Sequence, residues 1–311
     1  MKSLVRISCA VIILCSLIYV RGCLASLLFQ RDGSSGEMSR GVGFAFQGSA
    51  SKQEGFDSIF KTIVKSLESG NMSTIERVPF SGEKEDKVVV LGRLQNQSIE
   101  WVEAELPDWH HAIYTVDDPD APLHTAINKG NEANAYLTYI IEHYDRLPSI
   151  IAFIHGHHRS WHTDAAKLDN GRSLQTLKLD YVRKNGYANL RCLARPGCPS
   201  EIHPWRKDKD HRTELAFADA WQTMFNSSHV PEVIAVACCA QFAVSREQIL
   251  KRSREEYIWY HKWLMDTDLE DEISGRVFEY LWHVIFGRDA VHCPPVDECY
   301  SNVYGIDSRV T

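Results

Sequence analysis

Three short apolar runs, spaced so that a helix fits between the second and third, constrain this chain more than anything else in it. Val88-Val89-Val90-Leu91, Ala112–Val116 and Ile150–Ile154 are continuous rather than alternating, the pattern of strands buried on both faces. Ser98–Glu105 reads as a short helix ended by Pro107. Glu132–Tyr144 reads as an amphipathic helix with Leu137, Ile140, Ile141 and Tyr144 on one stripe, closed by Pro148. Strand, helix, strand, helix, strand with short connections predicts an α/β fold. The specific expectation is a Rossmann-like three-layer sandwich around a mostly parallel sheet. In such sheets ligands bind beyond the carboxyl ends of the strands. Here those ends carry Gly92, the cluster Asp117–Asp120, and His155-Gly156-His157-His158.

The second half is less regular. Ser173–Lys184 reads as a helix with Gly186 as its cap, Cys192–Arg212 as a long Pro-bearing loop, and Thr213–Phe225 as a helix. Val233–Ala240 reads as a further strand, and Ser245 with Gln248 as a capping box. Helices are expected near Glu255–Met265 and over Ser274–Phe286, with residues 288–311 left as a Cys-bearing tail.

At the other end, Lys2 and Arg6 precede an apolar run, Ile7–Val20. Its 14 residues are short for a bilayer span, which needs about 20, but suit a signal-peptide core with cleavage after Ala25. The alternative is an uncleaved type II anchor, with the membrane touched only through residues 7–20. Either reading puts the body in the secretory pathway, secreted or lumenal. The expected organisation is a leader over 1–25, a flexible Gly/Ser-rich stem over 26–86 with a short helix near 56–67, an α/β domain over 87–287 and the tail over 288–311. Sequons at Asn71, Asn96 and Asn226 agree with a glycoprotein. Six Cys lie outside the leader. Cys192/Cys198 and Cys293/Cys299 read as local disulfides, and Cys238-Cys239 as buried thiols in an apolar strand.

Charge excludes one class of partner. The net charge is −7, and removing residues 1–25 takes away three cations and no acid, leaving −10. An acidic body without a basic tract does not bind nucleic acid, which needs clustered cations against phosphate. No Gly-x-Ser-x-Gly elbow, P-loop or dinucleotide glycine motif occurs.

The residues left to carry chemistry fall into four groups. Four of 14 His lie within Phe153–His162, and His155 and His157 alternate about Gly156, so an extended backbone presents both on one side to a metal ion. Asp118 and Asp120 form an Asp-x-Asp pair suited to a cation, or else a solvated turn. Lys129 and Gly130 precede the helix that Glu132 opens, a place for a phosphate-bearing ligand. Glu279 and His283 are one helical turn apart and read as a base pair of residues, or as a surface i,i+4 pair. Trp161 is placed to stack on a sugar ring. The implied cofactor is a divalent metal ion (Mn, Mg or Zn), and the implied partner a small-molecule or sugar-nucleotide ligand.

The stretches Asn128–Ala133, Ala135–Ile141, Tyr144–Pro148, Phe153–His162, Cys239–Arg246 and Gly275–His283 resemble an uncharacterised, mainly fungal family, domain of unknown function 3431. That resemblance runs from Lys87 to Gly287 and implies no established activity. A remoter similarity is to GT-A type glycosyltransferases, which place a metal-binding Asp-x-Asp after a buried strand where this chain has His155-Gly156-His157. It implies a metal-dependent transferase with metal or diphosphate contact at Asp118, Asp120, His155 and His157, ligand contact at Lys129, Gly130, Glu132 and Trp161, and base or acceptor contact at Glu279 or His283. A His-cluster metal-dependent hydrolase and a non-catalytic binding protein of the same fold are the alternatives.

Overall fold

A computed structural model describes residues 86–163 and 169–307. The expected leader, the stem with its short helix, and the Asn71 sequon lie outside the described residues.

Five strands form the central sheet: β1 (Lys87–Arg93), β2 (His110–Thr115), β3 (Ile150–Phe153), β4 (Tyr187–Asn189) and β6 (Phe242–Ser245), in the order β2-β1-β3-β6-β4. β1 pairs in parallel with both β2 and β3, with Val90 opposite Ala112 and Phe153. Helix α1 (Glu100–Glu105) joins β1 to β2, and α2 (Glu132–His143) leads from β2 towards β3. The three apolar runs therefore became three parallel neighbours. The other half of the sheet departs from the expectation. β6 runs antiparallel to both β3 and β4, so the sheet is mixed and not the mostly parallel sheet of a Rossmann-like sandwich. An apolar run records burial on both faces but not strand direction, so the sequence pattern could not reveal the reversal.

Alternating residues of each strand feed two separate cores. Val88, Val90, Ile151 and Phe153 pack with α2 and the later helices, while Val89, Leu91, Ile150 and Ala152 pack with α1 and the segment around Tyr300–Tyr304. The first core holds a dense ring cluster in which Phe242 lies 5.1 Å from Phe153 and 5.4 Å from Trp282.

Several expected elements are divided. The helix read over Ser173–Lys184 is two, α3 (Asn170–Thr176) and α4 (Leu179–Asn185), the second closed by Gly186 at φ 81°. Val233–Ala240 contributes only β5 (Ala235–Val236), paired with β7 (Val291–His292) in a separate two-stranded sheet. The central strand is the next segment, Phe242–Ser245. Ser245 does cap a helix, accepting from the Gln248 N–H, but α6 (Arg246–Ile249) is one turn long and the Gln248 side chain donates to the Phe286 carbonyl instead. Helices α5 (Arg212–Phe225) and α7 (Arg254–Asp266) match their expected places, and α7 opens on a full capping box of Ser253 and Glu256. The helix read over Ser274–Phe286 breaks at Tyr280–Leu281 into α8 (Asp271–Glu279) and α9 (Trp282–Ile285).

Residues 288–307 are more than a tail. They hold β7, the short α10 (Val296–Cys299) and a turn of π-helix at Tyr300–Tyr304. The disulfides that bind them are Cys192–Cys299 and Cys198–Cys293, not the local pairs expected, because the two Pro-bearing loops lie side by side and join twice. Cys238 and Cys239 are bonded to each other rather than free. Among the described residues no helix is long and apolar enough to cross a membrane.

Candidate functional site

The carboxyl ends of β1 and β3 open into a cleft of about 670 Å³. Gly92-Arg93 and His155-Gly156-His157 line it, together with Arg276 and Glu279 of α8. Glu132, the first residue of α2, Cys239, His162 and the exposed Trp161 line it as well. Glycine between the two histidines has a packing cause: a Cβ on Gly156 would come within 2.9 Å of the Gln97 amide and 3.1 Å of the Gly92 carbonyl. The backbone leaving β3 thus passes flush against the end of β1. The Trp101 indole N–H donates to the Gly156 carbonyl, and the His155 N–H donates to Gln241, which hold the turn in place.

One charge in this cleft is inverted from its usual state at neutral pH, and the neighbouring imidazole is held neutral. Burial pushes the Glu132 carboxyl up to about 8, and the neighbouring Glu279 carboxylate pushes in the same direction. Burial pushes the His155 imidazole down to about 3, assisted by His162 and His157. At neutral pH Glu132 therefore keeps its proton and His155 lacks one. His155 Nε2 stands 3.8 Å from Glu132 Oε2, beyond hydrogen-bond reach, and is buried with no partner. The His162 ring meets the His155 ring edge-on at 5.0 Å, and its buried Nδ1 is unpartnered as well. Burial lowers the His162 pKa too, with His157 and Arg191 adding to it. Glu279 is raised by burial although Arg276 opposes the shift and the Cys239 N–H donates to its Oε1 at 2.7 Å. Two shielded imidazole nitrogens and a proton-bearing carboxyl around one space form an incomplete set. Native interiors pair such groups, and a group left over is a place for something else.

The structure brings together five of the residues singled out from sequence: Glu132, His155, His157, Trp161 and Glu279 all line the cleft. The others lie elsewhere. Asp118 and Asp120 form a surface turn and line no part of it: Asp118 accepts from the Asp120 N–H and from Gln95, and Asp117 accepts from the Gln95 N–H. This is the solvated turn that was the alternative reading. Lys129 spends its ammonium on the carbonyls of Met265 and Thr267, at 3.0 and 2.5 Å, closing the end of α7. Gly130 donates its N–H to Asp271 and lies under Leu264, leaving neither residue turned to an anion. His283 is fully buried and outside the cleft lining, with Nε2 at 3.0 Å from the Ala290 carbonyl. The break between α8 and α9 separates it from Glu279, so the two form neither a base pair of residues nor a surface pair.

Arg93 and Arg276 line the cleft without having been singled out as site residues from sequence, and Cys239, read there as a buried thiol, lines it as half of a disulfide. Arg93 directly follows the glycine that ends the apolar run, and Arg276 lies three residues before Glu279, one helical turn away. Arg276 reaches Glu201 at 2.8 Å and Glu279 at 3.9 Å, and lies over the Tyr280 ring. Cys238, Cys239 and Glu279 have their sulfur and oxygen atoms close enough to share a metal ion, but the disulfide occupies both sulfurs. The acidic and imidazole groups are the donors that remain in the cleft.

The family model for Protein of unknown function (DUF3431) matches residues 89–302. The chain belongs to that family. The match contains β2, β3 and all but the first two residues of β1, the cleft lining and both long-range disulfides, and it ends within the π-helical turn that closes the second core. No curated protein and no solved structure matches the chain.

Proposed function

We propose that the cleft is the catalytic centre of a glycosyltransferase-like transferase of the secretory pathway, acting on a sugar-type ligand with a divalent cation. The observation that carries the reading is the pair of shielded, unpartnered imidazole nitrogens on His155 and His162 beside the proton-bearing carboxyl of Glu132. Imidazole and carboxylate donors suit a zinc- or manganese-type ion. His155 and Glu132, whose Nε2 and Oε2 stand 3.8 Å apart, would hold it, in place of the Asp118 and Asp120 expected from sequence. Bound there, the cation would supply positive charge to a leaving phosphate oxygen.

The chain's own residues supply the rest. Arg93, held by Thr115 and the Gln97 carbonyl, and Arg276, held by Glu201, set two positive charges in the cleft lining for an anionic group of the ligand. Trp161, 65% exposed in the cleft lining, offers a flat apolar face to a sugar ring. Glu279, whose pKa burial raises, is poised to take a proton from an acceptor hydroxyl, and the Cys239 N–H and Arg276 hold it in position. Three disulfides among the described residues support an oxidising compartment.

The test is a thermal-shift screen of nucleotide sugars with and without manganese or zinc, on protein lacking residues 1–25. The proposal expects an upward shift that needs both components and disappears in Glu132→Gln. A metal-dependent hydrolase is the second reading, favoured by imidazoles standing where the resembled transferases carry acids; a shift with zinc alone would support it. Absence of any shift would refute both.

A further inference from the structure

A second cluster lies outside the cleft, on the far side of the same histidine loop. His158 Nε2 is 3.0 Å from Glu105 Oε1 and 3.6 Å from Asp169 Oδ1, and all three atoms lie within 4.8 Å of one another. The three residues come from three segments: the end of α1, the loop after β3, and the cap of α3. We infer that Glu105, His158 and Asp169 form a zinc-type cation site that pins the histidine loop to α1.

Three features support a ligand set over a simple ion pair. The His158 Nε2 is sealed from solvent and aligned for a hydrogen bond to neither carboxylate, despite their proximity. Ligands bound at about 2.0–2.1 Å with tetrahedral angles stand about 3.3 Å apart, and the two N···O distances of 3.0 and 3.6 Å bracket that spacing. The donors are also held in place beforehand. Trp101 stacks on the His158 ring at 5.0 Å, and Asp169 accepts from the Arg172 N–H while Arg159 binds its other oxygen. Opposite them, Gly171 leaves room for the Glu105 carboxylate, since a Cβ there would stand 1.9 Å from Glu105 Oε2. One imidazole and two carboxylates leave a fourth position for water.

The site does not depend on the proposed transferase activity, and its test separates the two. Protein carrying Glu132→Gln and His155→Ala, which removes two cleft donors, is stripped with chelator and titrated with zinc chloride by calorimetry and thermal denaturation. The inference expects one zinc per chain and an upward shift of roughly 5–10 °C at a hundredfold excess over the dissociation constant. Adding His158→Ala or, independently, Glu105→Gln removes both. Glu105→Gln keeps the shape of the side chain and serves if His158→Ala fails to fold. No zinc-dependent shift in the parent, or an unchanged shift after either substitution, would overturn the inference.

Discussion

Replacing Glu132 by Gln should make the protein's stability less dependent on pH, in a direction the cleft geometry determines. An unfolded glutamate titrates near 4.5, whereas burial raises folded Glu132 to about 8. Between those values the unfolded chain has released a proton that the folded chain still holds. Stability of the native protein therefore declines as pH rises through this window, by at most about 1.4 kcal/mol per pH unit. The side chain is one-fifth open to the cleft, and water there reduces the cumulative loss to roughly 2 kcal/mol. Gln has the shape of the protonated acid and no titration. The advantage of Glu132→Gln over the parent should thus grow by roughly 2 kcal/mol from pH 5 to pH 8 and stay level above it. In a domain of this size that is about 4–8 °C in melting temperature. Thermal denaturation of both proteins at each pH from 5 to 9 measures it. A difference independent of pH would show that Glu132 is ionised throughout. A difference growing in the parent's favour would show a carboxyl whose folded pKa lies below that of the unfolded chain, and the reading of the cleft would fail.

Two further outcomes follow from the same structure. Lys129→Met removes the ammonium that closes α7, and should cost about 1–2 kcal/mol in denaturant melts while leaving the nucleotide-sugar shift unchanged; loss of the ligand shift at unchanged stability would restore Lys129 as an anion contact. Cys198→Ala with Cys293→Ala opens a bridge between positions 95 residues apart, and should lower stability by about 2–5 kcal/mol under oxidising conditions. An unaffected melting point there would mean that Cys192–Cys299 alone holds residues 288–307.

The histidine loop shows how far a sequence can be read. That His155 and His157 sit at the end of a buried strand followed from apolar run and position alone, and so did the adjacency of Gly92. What each histidine touches did not. His155 turns into the cleft against Glu132, whereas His158, three residues on, turns to α1 and Glu105. The acidic turn misled for a related reason. Asp118 and Asp120 follow a strand of the same parallel trio, yet Gln95 draws the turn to itself and the cleft opens between β1 and β3 instead. Glu279 and His283 have helical spacing, but spacing does not reveal that the helix breaks between them.

What the sequence determined by itself is local: which segments are buried on both faces, where most helices begin, and that Asp, His and Glu concentrate beyond strand ends. These properties depend on residue order within one element or one turn, where periodicity and capping act. The antiparallel course of β6, the crossed pairing of Cys192 with Cys299 and Cys198 with Cys293, and the meeting of Glu132 with His155 and Glu279 were decided only in three dimensions. Each joins segments remote in sequence, and the raised carboxyl and lowered imidazole exist only once the packed walls remove water from them.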